Sequence, residues 1–94
     1  MEVQLETVVL ILKDNRILVS KVAEGSPSEI GDPDMILVDP VLYNESVELE
    51  KSMSRFPGKH LTDVTKMEIH SDNILVMVKP TNKLLSEYLV AISD

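Results

Sequence analysis

The sequence predicts a mainly β fold: one small, strongly bent five-stranded barrel followed by a short C-terminal α-helix. Three observations carry this. The apolar residues fall in short runs rich in Val, Ile and Leu, bounded by Asp, Asn, Gly or Pro. The apolar period shifts to three and four only after Pro80. Glycine is scarce, with 3 in the chain, so the bends must come from Pro40, Ser20 or β-bulges.

The strands follow in order. Residues 3–12 are too short and too β-branched for a confident helix and form the first strand. Lys13, Asp14, Asn15 and Arg16 make a tight hairpin turn, because Asp and Asn tolerate positive φ. The returning strand, residues 16–24, places Ile17, Val19 and Lys21 on one face and Leu18, Ser20 and Val22 on the other. Gly25-Ser26-Pro27 and Gly31-Asp32-Pro33 bracket a loop. The third strand, residues 35–43, is broken or bulged at Pro40, which cannot donate to a ladder.

Residues 44–59 form an irregular surface excursion, with Val47, Leu49 and Met53 scattered among charges and a turn at Phe56-Pro57-Gly58. Residues 61–70 make a fourth strand, with Val64 on the face opposite Met67 and Ile69. After the turn at Ser71-Asp72-Asn73, residues 74–79 form a strand that is apolar up to Lys79, buried on both faces and stopped by Pro80. Leu84, Leu85, Tyr88, Leu89 and Ile92 share one helical face, with Thr81 or Asn82 as the cap, and this helix covers an open end of the sheet. The strand Ile74-Leu75-Val76-Met77-Val78 carries no charge before Lys79. An exposed edge of that composition aggregates, whereas one paired with a neighbouring copy closes an assembly.

Ninety-four residues make one domain. Without cysteine, neither disulfides nor thiolate metal sites support it. Glu2 and Glu6 interrupt any signal-peptide pattern, and no apolar run approaches the ~20 residues needed to span a bilayer. The expected location is the cytoplasm, with no membrane partner. A net charge of −7 opposes nonspecific binding to polyphosphate, and no DNA is expected as a partner. Between Val22 and Glu50 stand eight acidic residues and no Lys or Arg. A solvated acidic edge accounts for this better than a surface that meets a basic partner.

With these elements in place the chain resembles the Sm-like (LSm) family, and within it the proteins attributed to cyanophages. The family has a Lys-Asp-Gly-Arg turn, an Asp-x-x-Met-Asn-Leu stretch, and an Ile-Arg-Gly-Asp/Asn-Asn-Ile/Val motif between its last two strands. The corresponding residues are Lys13-Asp14-Asn15-Arg16, then Asp32-Pro33-Asp34-Met35-Ile36-Leu37, and Ile69-His70-Ser71-Asp72-Asn73-Ile74. The resemblance implies a ring of five to seven copies. It implies subunit pairing through Ile74, Leu75, Val76, Met77 and Val78. It also implies a pore where Met35, Ile36, His70, Ser71, Asp72 and Asn73 meet single-stranded RNA. Three positions depart from the motif: the base-reading Asn is Ile36, the Arg is His70 and the Gly is Ser71. Ile36 cannot hydrogen-bond a base, and a histidine carries little fixed charge at neutral pH.

Other candidate sites are weaker. His70-Ser71-Asp72 is no triad, since adjacent residues point apart, and no catalysis is expected. Asp32 and Asp34 lack the further carboxylates of a calcium loop, and His60 with Asp63 lacks a third ligand, so no metal or other cofactor is expected. Phe56, with Arg55 and Lys59 nearby, is a better base-stacking candidate than Tyr43, although an apolar anchor explains it more simply. Tyr88 belongs to the helix core. Two functions follow: a ring-forming, RNA-associated Sm-like protein, or a structural or adaptor protein of phage type that uses the same fold without RNA.

Overall fold

The computed structural model describes residues 5–24, 31–45, 52–58, 61–62 and 64–93. Six strands and one helix run in the order β1 (Glu6–Leu12), β2 (Ile17–Glu24), β3 (Met35–Tyr43), β4 (Met53–Arg55), β5 (Lys66–Ile69), β6 (Ile74–Val78) and α1 (Asn82–Ile92). The strands form one antiparallel sheet of order β4-β3-β2-β1-β6, and β5 also pairs with β3. β4 and β5 therefore share one edge of β3: β4 lies along Val41–Tyr43 and β5 runs along residues 35–38. The expected closed five-stranded barrel is corrected in two ways. The sheet is not closed, and residues 53–55, expected in an irregular excursion, add a sixth strand. Val47, Leu49, Lys59, His60 and Asp63 lie outside the described residues.

The sheet is nonetheless strongly bent. From β5 to β6 there are four inter-strand steps of about 4.8 Å each, about 19 Å if flat. Residues 70–73 join these strands with a 3₁₀ turn at Ser71–Asn73, which rises about 2 Å per residue. So short a link reaches the far edge only because the sheet curls. A β-bulge in β3 supplies part of the bend. Val19 pairs with Val41 and Lys21 with Val38, so Ser20 alone faces Asp39 and Pro40. Asp39 takes φ 53°, which Asp tolerates better than most residues. The buried Ser20 hydroxyl donates to the carbonyls of Lys21 and Val38. The edge continues across the bulge through Asp39 N to Thr65 O at 2.7 Å and Phe56 N to Pro40 O at 3.1 Å.

The concave face holds one core, built on Val8, Leu10, Leu12, Leu18 and Leu37. Met67 and Ile69 from one edge and Ile74 from the other pack against it, as does Phe56. The convex face holds the second core: Val19 and Val41 against Tyr88, flanked by Leu84, Leu85 and Ile92. Thr81 caps α1, its hydroxyl accepting from Leu84 N at 3.2 Å. The helix lies across this face instead of over an open end. Leu84 shares a cleft with Val9, Ile11 and Ile17, the Tyr88 hydroxyl reaches β3, and the Ile92 carbonyl accepts from Arg55 on β4. α1 thus runs from the β1–β2 side to the β4 edge.

Two expectations for the later strands need correction. Among the described residues of the fourth predicted strand, 66–69 form the strand, and Val64 stands outside it, exposed. β6 is not buried on both faces. Leu75, Val76, Met77 and Val78 are 58%, 42%, 49% and 50% exposed, because among the described residues β6 is an edge strand that pairs with β1 alone.

Candidate functional site

The β1–β2 hairpin begins the site. Asn15 takes φ 70°, and Asp14 turns back to accept from Arg16 N at 3.1 Å and from Arg16 Nε at 2.6 Å. These hydrogen bonds, the backbone one foremost, hold the Asp14 carboxyl below its ordinary value. The Arg16 guanidinium lies 5.3 Å from the centroid of the Phe56 ring. Phe56 is therefore a core anchor with a cation over it, which favours the simpler of its two expected roles. Arg55, expected beside it as a cation for RNA, is committed elsewhere. It bonds Asp39 at 3.2 Å and the Ile92 carbonyl at 3.1 Å.

The pairing of Met35 with Ile69 and of Ile36 with Glu68 brings the start of β3 beside the end of β5. The turn that follows therefore lies next to the β2–β3 loop, and three contacts fasten it. Asp34 Oδ1 accepts from Ser71 N at 2.7 Å and Asp34 Oδ2 from Ser71 Oγ at 2.6 Å. His70 Nε2 lies 2.6 Å from Gly31 O. A carbonyl only accepts, so Nε2 carries the hydrogen and Nδ1 is the open ring nitrogen. At the other end of the turn, Lys13 N donates to Asn73 O at 2.9 Å. The Asp34 carboxyl is held below its ordinary value by the two Ser71 donors, side chain first.

The six residues expected at a pore are thus brought together: Met35 and Ile36 half-buried on β3, His70, Asp72 and Asn73 exposed, and Ser71 clasped by Asp34. Sequence reasoning missed Asp34 in this part. It weighed that carboxylate as a metal ligand, whereas both its oxygens accept from Ser71. Among the described residues no three His, Cys, Asp or Glu side chains are grouped to hold a metal ion. The turn's other flank borders a cleft of about 360 Å³, floored by Leu12, Leu37 and Met67 and rimmed by Lys13, Arg16 and Asn73. Asp34 and Asp72 make the turn polar to acidic, and on the hairpin side the cations Lys13 and Arg16 stand with Asp14 and Glu68, Arg16 paired to Asp14.

Asp39 was also missed as a hub. Its carboxylate meets Arg55 at 3.2 Å and Lys21 at 3.8 Å, while its carbonyl accepts from the Tyr88 hydroxyl at 2.8 Å. Burial, with the Asp39 charge adding to it, pushes the Tyr88 hydroxyl up to about 12. The only signal in the sequence was an Asp placed before a proline inside a strand.

Among the described residues no helix is long and apolar enough to cross a membrane. A comparison with curated proteins finds no match. The model of DUF6561, a family of unknown function, matches residues 5–93, so the chain belongs to that family.

Proposed function

We propose that the protein is a ring-forming assembly module of the Sm-like kind, joined by β6 of one copy pairing with the free edge of the next. The observation that carries this is the bare edge strand. Four consecutive apolar residues, Leu75 to Val78, stand about half exposed, and among the described residues no strand pairs with the outer side of β6. The open sheet supports the same reading, because among the described residues no strand pairs with the outer side of β4 or β5. A ring of five to seven copies follows from the resemblance, and the function is structural or adaptor-like, of phage type, without catalysis.

The test is mass in solution. The wild type is expected to be a homo-oligomer by sedimentation across a wide concentration range, and Val76→Pro to be monomeric, since it interrupts the edge. A wild type that stays monomeric at high concentration overturns the proposal.

A second reading has one observation in its favour. Asn73 is exposed at the end of the turn and lines the cleft that Lys13 and Arg16 rim together with Asp14 and Glu68. That is hydrogen-bonding chemistry suited to a base of single-stranded RNA, and the ring would repeat it around a pore. With Ile36 in place of a base-reading amide and Asp34 and Asp72 beside it, such binding is weak. Labelled oligouridine should bind more tightly to an Ile36→Asn, His70→Arg double variant than to the wild type. No binding by either leaves the adaptor reading alone.

A further inference from the structure

At the hairpin end of the sheet the concave core opens onto the cleft of about 360 Å³. Its apolar lining comes from Leu12 of β1, Leu37 of β3, Met67 and Ile69 of β5, and Phe56 just beyond β4. Leu12 and Leu37 belong to the buried core itself, and the other three pack against it. The volume lies within the roughly 300–1,000 Å³ usual for small-molecule sites, which recur in the mouths of curved sheets. The fold's own contacts hold the walls in place. Leu12 N donates to Arg16 O and Lys13 N to Asn73 O, both at 2.9 Å, which ties the hairpin to the turn after β5. The Arg16 guanidinium, 5.3 Å from the centroid of the Phe56 ring, joins the hairpin to the β4 side. A cleft preformed in this way costs little ordering when a ligand enters.

The charged groups stand at the rim, and they are not equally available. Arg16 is committed to Asp14 at 2.6 Å. Glu68 lies between Met67 and Ile69, which both pack on the core, so its carboxylate points to the opposite face of β5 and its main chain borders the cleft. Lys13 is exposed, and among the described residues no carboxylate pairs with its ammonium group. An apolar floor with one uncommitted cation at its lip selects a ligand with an apolar body and a single negative charge.

We propose that this cleft binds a small organic anion, an apolar or aromatic body ending in one carboxylate or sulfonate, with the body on Leu37, Met67 and Phe56 and the anion at Lys13. The net charge of −7 repels anions at long range, so the apolar body supplies most of the affinity and polyanions are disfavoured. The site depends on neither the ring nor the RNA contact.

The test uses the full chain and two fluorescent probes. Anilinonaphthalene sulfonate carries one negative charge, and phenylnaphthylamine is its uncharged parent. The sulfonate should bind saturably at low salt. Lys13→Ala should weaken it about tenfold, the size of one lost charge-assisted contact, and leave the uncharged probe unchanged. Lys13 is exposed and bonds Asn73 through its backbone, so the variant should fold, which circular dichroism checks. Methyl NMR locates the probe: the Met67 signal should move on titration and that of Met77 on β6 should stay. Absence of binding overturns the proposal, and so does an affinity for the sulfonate that Lys13→Ala leaves intact. Movement at Met77 in place of Met67 overturns it by placing the probe on the apolar edge strand. A sulfonate that oligouridine displaces more readily than unlabelled naphthalene sulfonate does overturns it in favour of the RNA reading.

Discussion

The convex face beneath α1 and the edge strand β6 are built from the same residue types, yet one is covered and the other bare. Val19 and Val41 are sealed by Tyr88, which is 0% exposed, whereas Val76 and Val78, on the same face, remain about half exposed. α1 crosses towards β4 and leaves β6 behind. The difference teaches that an apolar strand states that it must be covered but not by what. The two regions should answer differently to mutation. Damage under the helix should cost stability at any protein concentration, whereas on the assembly proposed above damage at β6 should cost association.

The largest effect should come from removing residues 84–94. That bares the convex core, where each fully buried large side chain contributes about 1.5–3 kcal/mol. The truncated chain should be insoluble or melt far below the wild type, and unchanged melting would show the helix to be merely appended. Next is Val76→Thr. It should leave the melting of the diluted chain within roughly 0.5 kcal/mol of wild type, as is usual for surface changes. It should also raise the concentration at which copies associate, measured by sedimentation. An equal loss in dilute and concentrated samples would break the contrast between the regions.

Tyr88→Phe sharpens the contrast from the covered side. The hydroxyl's hydrogen bonds to the β3 bulge contribute on the order of 1 kcal/mol. Because folding raises Tyr88 from 10.0 to about 12, the stability tied to its neutral form is complete below pH 10 and is lost as pH rises through about 12. Chemical denaturation in that window should show the wild type losing its advantage over Tyr88→Phe. A gap that stays constant with pH would remove Tyr88 as the anchor. The smallest effect is expected at the clasp. Asp34→Asn should speed hydrogen exchange at the Ser71 amide with little change in melting. The carboxyl is held below its ordinary value, so the wild-type clasp is intact above about pH 3.8 and weakens as pH falls through the lowered value. Exchange at Ser71 that is indifferent to the substitution would show that the clasp is not what holds the turn.

Much of the fold was legible in the sequence. The Asn15 turn, the face assignment of residues 17–22 and the bulge at Pro40 are local, and local chemistry writes them plainly, while the helix cap was narrowed to Thr81 or Asn82 and is Thr81. β4 escaped notice because three residues carry no period, and Met53 to Arg55 become a strand only by lying against Val41–Tyr43. The exposure of β6 escaped for another reason, since hydropathy reports what a strand is made of and not where it stands in the sheet. At the candidate site the turn residues were visible. Their fastening by Asp34, 37 positions away from Ser71, was not, and neither was the grip of Tyr88 on Asp39, 49 positions apart.

The Tyr88–Asp39 contact also bears on synthesis. β6 and α1 follow every other element along the chain, so the ribosome delivers β1 to β5 before the segment that covers their convex face. The bulge at Asp39 leaves the exit tunnel well ahead of its phenol partner. Until that partner arrives the half-made sheet presents an apolar surface to chaperones. β6, the edge strand of the assembly proposed above, precedes α1, the segment that seals the sheet, along the chain. In that assembly, the joining strand would therefore emerge only after the strands that it extends.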